Sequence, residues 1–471
     1  MTFPAQDGGK LPSHVFREYD IRGKAEGEIS RDFARLLGLA FGRRIKTAGE
    51  RKAIVGRDNR TSSPQLHAAL ISGLIQSGCQ VVDIGEVTTP MFYFSLHHLD
   101  ISSGIMVTAS HNPGEDNGFK LAMDKTTLYG EAISSLGKLM REVLDSKGDR
   151  AEAQSGVPEK LDIERPYLDD LQEKIRLGPR RLKVVVDCGN GTPSPFVPKA
   201  LDRWGCEVIQ LYCESDPSFP HHHPDPADPA NLRDLVELVK QQRADVGLAF
   251  DGDGDRLGVV DDRGRILWGD QLMILFWREI MPKYPGCQAL VEVKCSQALV
   301  EEIARLGGKP VFHRTGHSHI KATMKSLNTP FTGEMSGHFF FRDEFLGYDD
   351  ALYAAGRLLR ILSQTNQRLS ALFSGVREYA STPETRVVCA EEQKQTIIGQ
   401  VKQHFQSKYE VIDVDGVRVV FPYGWGLIRA SNTQPSLVLR AEADSQDGLV
   451  QIKSEIEEAL AGICPELSIP W

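Results

Sequence analysis

Asp251-Gly252-Asp253-Gly254-Asp255-Arg256 follows directly on the apolar run Val246-Gly247-Leu248-Ala249-Phe250. Carboxylates at alternate positions converge only where the backbone curls between them, and the intervening glycines permit that curl. Clustered acids repel one another, so a hard divalent cation is their natural partner. An EF-hand loop also begins with alternating acids. It needs glycine at its sixth position, where this chain has Arg256, and flanking helices, where this chain has strand-like runs such as Leu257–Val260. The expectation is a catalytic Mg²⁺ on Asp251, Asp253 and Asp255, with coordination left over for a phosphate oxygen. The plain alternative is a solvated acidic turn.

A second stretch, Thr108-Ala109-Ser110-His111-Asn112-Pro113, is delivered by Ile105-Met106-Val107 and ends in a Pro-Gly turn. That pattern is a buried strand opening into a sharp loop, which puts the Ser110 hydroxyl at the mouth of a sheet beside an imidazole. The same hexapeptide is equally a turn in which Ser and Asn satisfy local backbone. In Gly333-Glu334-Met335-Ser336-Gly337-His338, Glu334, Ser336 and His338 project to one side if the segment is extended. A carboxylate plus a hydroxyl suits paired sugar hydroxyls, and a histidine beyond them could move protons. Arg429-Ala430-Ser431-Asn432-Thr433-Gln434-Pro435 is a donor-rich loop of the kind that takes a dianionic phosphate, or else an Asx/ST turn. Tyr19 and Arg22 in Arg17–Gly23, Lys120 after Gly118-Phe119, Lys294, and His317 in Thr315–Ser318 are further candidates. Adjacent histidines cannot all face one ion in regular backbone, so His221-His222-His223 reads as structural or incidental.

Some chemistries are disfavoured by what is missing. The chain has no G-x-x-x-x-G-K-[ST] phosphate loop, no G-x-G-x-x-G after a strand, and no G-x-S-x-G around Ser110.

These loops need a scaffold that ends strands beside one another. Helical spacing runs from Ser30, a plausible N-cap, to about Lys46, and again from Ser63-Pro64 to about Ser77. Strand-like runs stand at Ala53–Val55, Val81–Ile84, Lys183–Val186, Glu207–Leu211, Val246–Phe250, Ala289–Val293 and Pro310–Phe312. Such alternation implies an α/β class with parallel sheets covered by helices. Pro217–Pro229 reads as a long loop and Glu152–Pro158 as a linker. From Thr385 onward come a strand, a helix over about Glu391–Phe405, strand-like runs around Val411–Phe421 and an amphipathic helix from about Ser445, a compact α+β unit.

At 471 residues, about three or four domains are expected. A hydrophobic content of 41% and a charged content of 25% are those of a soluble globular protein. No apolar run reaches the roughly 18 residues of a membrane span, and Met1–Pro12 lacks the apolar core of a secretory signal. The eight cysteines show no metal spacing and no close pair in sequence, as expected of buried thiols in a reducing compartment. Cytoplasmic location is therefore expected. A net charge of −9 argues against nucleic acid but leaves room for a small anion at a local basic cluster.

Taken in order, these motifs resemble the α-D-phosphohexomutase family, in particular its bacterial phosphomannomutase/phosphoglucomutase branch. Thr108–Pro113 is similar to the phosphoserine loop, Asp251–Arg256 to the metal loop, Gly333–His338 to the sugar loop and Arg429–Pro435 to the phosphate loop. Phe16–Gly23, Val186–Gly191 and Gly347-Tyr348-Asp349-Asp350 match as well. The resemblance implies three related α/β domains with mixed sheets around a central cleft plus a C-terminal α+β domain. The boundaries expected are 1–155, 156–261, 262–376 and 377–471. It implies that Ser110 carries a phosphoryl group and joins Asp251, Asp253 and Asp255 in the metal's shell. Arg22, Lys120 and Arg256 would stabilise the transferring group, with His338 or Lys120 handling the proton. Tyr19, Lys294, His317, Glu334 and Ser336 would line the sugar site, and Arg429, Ser431, Asn432 and Thr433 would hold the non-reacting phosphate. The implied partners are hexose phosphates and a hexose 1,6-bisphosphate activator, with no nucleic acid, membrane or obligate protein partner. Met335 in the sugar loop is similar to the mannose/glucose branch. A metal-dependent sugar-phosphate phosphatase and a non-catalytic sugar-phosphate sensor are the rival functions.

Overall fold

A computed structural model of the chain describes residues 11–145, 156–431 and 434–471. The chain divides into two compact units. One runs to Trp268 and includes Ser336–Leu372; the other comprises Gly269–Met335 and Phe373–Trp471.

The first unit holds two sheets. In the first, the order is Ile21–Lys24, Asp116–Met123, Gly104–Val107, Lys52–Arg57, Gln80–Glu86, Glu159–Lys160, with Thr126–Thr127 beside Asp116–Met123. Lys52–Arg57 runs parallel to both its neighbours, whereas Asp116–Met123 is antiparallel to both of its own. The sheet is thus mixed, not purely parallel as strand-helix alternation alone suggested. The loop after Val107 returns the chain as an antiparallel strand from Asp116, so no crossover helix is needed. Helix Arg31–Thr47 starts where its spacing predicts, with the Ser30 side chain accepting from the Phe33 amide. Its apolar stripe, including Phe33, Leu37 and Phe41, packs in one core with Leu66, Leu70 and Leu74 of helix Ser63–Gln76.

The second sheet is ordered Ile266–Leu267, Leu257–Asp261, Val246–Phe250, Lys183–Asp187, Glu207–Leu211. Val246–Phe250 is parallel to Lys183–Asp187 but antiparallel to Leu257–Asp261, with Phe250 opposite Leu257. The acidic motif is therefore the connection of a β-hairpin whose two strands are fully buried and interior to the sheet.

In the second unit, Gln288–Glu292 and Lys309–His313 pair in parallel. The C-terminal sheet has order Ala380–Ser381, Ser436–Ala443, Gly424–Ala430, Val417–Phe421, Glu410–Ile412, with Thr385–Val388 also on Ser436–Ala443. Helices Glu391–Gln406 and Gln446–Ile463 complete its core. The pattern reading did not find Gly424–Ala430 or Ser436–Ala443. Gly424-Trp425-Gly426 mimics a turn, and Ser436–Ala443 is buried at every position, so it lacks the alternation of a half-buried strand. Among the described residues no helix is long and apolar enough to cross a membrane.

Candidate active site

The hairpin loop of the second sheet meets the strand-end loop of the first. Asp251, Asp253 and Asp255 are all buried, and each offers an oxygen within 4.8 Å of the others. The curl is fixed by Asp251 itself: its Oδ1 accepts from the amides of Gly254, Asp255 and Arg256 at 3.0–3.1 Å. Gly254 adopts φ +80°, a conformation that favours glycine.

The other Asp251 oxygen accepts from the Ser110 hydroxyl at 2.8 Å. Ser110 Oγ also lies 3.1 Å from Nδ1 of His111. A hydroxyl has a single proton and can donate to only one of them at a time. Burial, with Arg256 and Arg22 nearby, pushes the His111 imidazolium well below its ordinary range, so this ring is neutral. Among the described residues Ser110 is one of nine non-glycine residues in the left-handed region, at φ +52°.

Lys120 reaches the acids from one face of the first sheet, a face that Arg22, paired with Asp20, shares. Arg22 is registered opposite Gly118, two positions from Lys120, so the three share a face. Lys120 Nζ lies 2.7 Å from Asp253 and in closer contact with Asp255. Burial opposes its charge, but Asp253 and Asp255 raise it well above the usual lysine range. Asp253 Oδ2 also accepts from Thr89 Oγ1 at 2.6 Å and Thr108 Oγ1 at 3.2 Å. Burial works against the Asp253 carboxylate, yet Lys120 and Thr89 hold it below the usual range. Asp251 goes the other way: burial, then Asp255 and Asp253, drive it well above the carboxylate range despite Arg256 and Lys120.

Oδ1 of Asp253 and Oδ1 of Asp255 are buried without a hydrogen-bond partner. Buried carboxylate oxygens without a hydrogen bond are costly, and a hard divalent cation would satisfy them. The donor set therefore fits Mg²⁺.

His338 does not follow Glu334 and Ser336 along an extended segment. The chain turns at Met335-Ser336 and Gly337 takes φ +94°, so period-two alternation does not apply. His338 Nε2 accepts from Arg256 Nε at 2.9 Å, and Nδ1 lies 3.2 Å from Asp349 and 3.6 Å from Asp255. Tyr19 sits in the bend before Ile21–Lys24. Arg22 donates to Asn112 Oδ1 at 2.6 Å.

In the second unit, Lys294 Nζ lies 2.9 Å from Glu384 and 3.3 Å from Glu292. Glu334 Oε1 accepts from the Gly316 amide at 2.8 Å, directly before His317 opens helix His317–Leu327. Arg429 Nε is held by Asp415 at 2.9 Å, and Lys394 Nζ donates to the Ser431 carbonyl at 2.7 Å. Asn432 and Thr433 lie outside the described residues.

Sequence reading missed several contributors. Asn59 joins the first sheet to the second by donating to the Asn190 carbonyl at 2.9 Å, and its amide donates to Thr192. The histidine run is more than incidental: His222 Nε2 lies 2.9 Å from Asp187, and His223 Nε2 donates to the His111 carbonyl in a short contact. Cys188 and Cys213, far apart in sequence, bring their sulfurs to 3.5 Å as free thiols.

Four family descriptions match in chain order. They are phosphoglucomutase/phosphomannomutase alpha/beta/alpha domain I over 13–140, domain II over 165–264, domain III over 268–379 and the C-terminal domain over 384–459. The chain is 43% identical over 462 residues to a phosphomannomutase/phosphoglucomutase of Pseudomonas aeruginosa, covering 98% of each chain. The chain belongs to the phosphoglucomutase/phosphomannomutase family of enzymes. Within that family it is also 39% identical to a phosphoglucomutase of Neisseria gonorrhoeae, over 95% of this chain and 96% of the relative. The crystal structure of a phosphoglucomutase/phosphomannomutase family protein from Burkholderia thailandensis superposes with a TM-score of 0.90 at 38% identity, covering 98% and 100% of the two chains.

Proposed function

We propose that this enzyme interconverts hexose 6-phosphate and hexose 1-phosphate, acting on mannose and glucose, with Ser110 as the phosphoryl carrier. The hydrogen bond from the Ser110 hydroxyl to Asp251, inside a buried acid cluster, is the observation that carries this reading. Asp251, Asp253, Asp255 and phosphorylated Ser110 would hold Mg²⁺. When bound, that ion supplies positive charge beside the transferring phosphoryl group.

The chain's own residues do the rest. A free hydroxyl of the bound hexose phosphate attacks the phosphorus on Ser110. Its O–P bond forms as the Ser110 O–P bond breaks, and its proton leaves to a base or water. The hexose 1,6-bisphosphate then turns over, and its other phosphoryl group returns to Ser110. Lys120, Arg22 and Arg256 stabilise the charge on the phosphoryl group in flight. Lys120 is held protonated by its acidic partners, so it keeps its positive charge beside the phosphoryl group. His338 can take a proton at Nε2 only by giving up the bond from Arg256. Arg429, Ser431, Asn432 and Thr433 receive the non-reacting phosphate, while Tyr19, Lys294 and His317 line the sugar. If Glu334 and Ser336 hold O3 and O4, nothing in that pair reads C2, where mannose and glucose differ.

The rival is a metal-dependent phosphatase using the same residues with water as acceptor. The test compares mannose 1-phosphate, glucose 1-phosphate and glucosamine 1-phosphate with a bisphosphate activator present. Isomerisation of the first two without matching phosphate release supports the mutase; inorganic phosphate in excess of isomerised sugar overturns it.

A further inference from the structure

Every backbone carbonyl from Ser110 to Pro113 is met by a side-chain donor from below. Arg60 Nη2 donates to the carbonyls of Ser110 at 2.8 Å and Asn112 at 2.6 Å. Arg60 Nη1 donates to those of Pro113 at 2.6 Å and Asp116 at 3.1 Å. The one left over, on His111, takes the short hydrogen bond from Nε2 of His223. Since a carbonyl only accepts, His223 must carry its proton on that nitrogen.

Arg60 is buried at 1% exposure, with Nε 3.2 Å from Asp58 and the Phe219 ring 5.7 Å away. A buried guanidinium is an expensive way to fill space, because desolvation works against its charge. Its planar fork, however, carries five N–H donors in fixed directions, more than any other side chain can offer to divergent carbonyls. What those carbonyls belong to matters. Ser110 sits at φ +52°, a conformation a serine keeps only when its surroundings over-determine it. Gly252 packs close against the Ser110 carbonyl oxygen, so that a Cβ added there would stand 2.5 Å away.

We propose that Arg60 and His223 are positioning residues for phosphoryl carriage: by gripping the carbonyls beneath the loop they hold Ser110 in its left-handed turn and keep Oγ aimed at the acid cluster. This rests on the reading of Ser110 as carrier. Neither residue touches the reacting atoms. Misaiming the serine should slow transfer without weakening capture of the sugar phosphate, so kcat falls while KM stays.

The experiment compares full-length R60K, H223A and H223Q with wild type. Steady-state kcat and KM are measured on glucose 1-phosphate, and intact mass follows the rate at which Ser110 takes a phosphoryl group from glucose 1,6-bisphosphate. R60K keeps the charge but loses the fork; H223Q keeps a donor that H223A lacks. The expected result is a loss of kcat of about 10²-fold in R60K and H223A with KM little changed. Ser110 phosphorylation should slow in proportion, and H223Q should recover most of the loss. Wild-type kcat and phosphorylation rate in R60K and H223A overturn the proposal, as does an H223Q no better than H223A. If R60K fails to fold, the His223 pair decides alone. A wild-type enzyme whose Ser110 takes no phosphoryl group overturns the carrier reading itself, and this inference with it.

Discussion

The Ser110 hydroxyl donates to Oδ2 of Asp251 across 2.8 Å, although the two residues stand 141 positions apart in the chain. One lies in the loop that follows strand Gly104–Val107 of the first sheet, and the other begins the hairpin loop of the second. Their contact makes a single site of two motifs that are each ambiguous alone.

Removing the cation should therefore disable the enzyme without unfolding it. With Oδ1 of Asp253 and Oδ1 of Asp255 left without a hydrogen bond, a chelator is expected to abolish isomerisation, and added Mg²⁺ to restore it. Asp253→Asn should lower kcat by about 10²–10³-fold, the scale of losing one charge-stabilising group at a transition state. Steady-state rates with and without chelator check both. An Asp253→Asn variant with normal kcat contradicts the assignment.

Gly252→Ala tests the fit of the two loops. The added Cβ would meet the Ser110 carbonyl oxygen at 2.5 Å, too close for backbone to tolerate unmoved. The variant should fold, because both strands of the hairpin remain intact, and should lose about 10²-fold in kcat. Circular dichroism and kinetics together decide the matter; unchanged kcat would mean that the loops yield freely.

A third prediction concerns Lys294 and its partner Glu384. The Lys294 ammonium, ahead of the burial that opposes it, holds the Glu384 carboxyl down at about 2. An unfolded glutamate titrates near about 4.3. The folded value is the lower, so the pair's stabilisation is complete above about 4.3 and is lost as pH falls through about 2. Allowing for solvent screening, the contribution is on the order of 1–2 kcal/mol. Glu384→Gln should flatten the stability-versus-pH curve across that window, measured by urea unfolding at fixed temperature. An acid limb identical to wild type contradicts the pairing.

Local features of the site were legible because their cause is local. The acidic hairpin loop, the Ser30 cap and the strand before Thr108 each follow from adjacent residue types. What the sequence hid is set by distant partners. Arg60, in Gly56-Arg57-Asp58-Asn59-Arg60, has no local signal that marks it out; its role depends on the Ser110 carbonyl, 50 positions away. His223 reads as part of a polar run until it reaches a carbonyl 112 positions away. His338 was expected in phase with Glu334, but positive φ at Gly337 redirects the chain and Arg256 and Asp349 fix the ring. Strand spacing carries no strand direction, so the mixed sheets followed from the resemblance of the motifs and not from the pattern of strands and helices.

The most direct measurement is the mass of the protein after brief exposure to glucose 1,6-bisphosphate, with the modified residue located by peptide sequencing. The account predicts one added phosphoryl group, on Ser110, which leaves when hexose monophosphate is supplied and appears on the sugar. Ser110→Ala should take up none and should lose isomerase activity. Full activity in Ser110→Ala, or a phosphoryl group that passes to water and never to sugar, would contradict it.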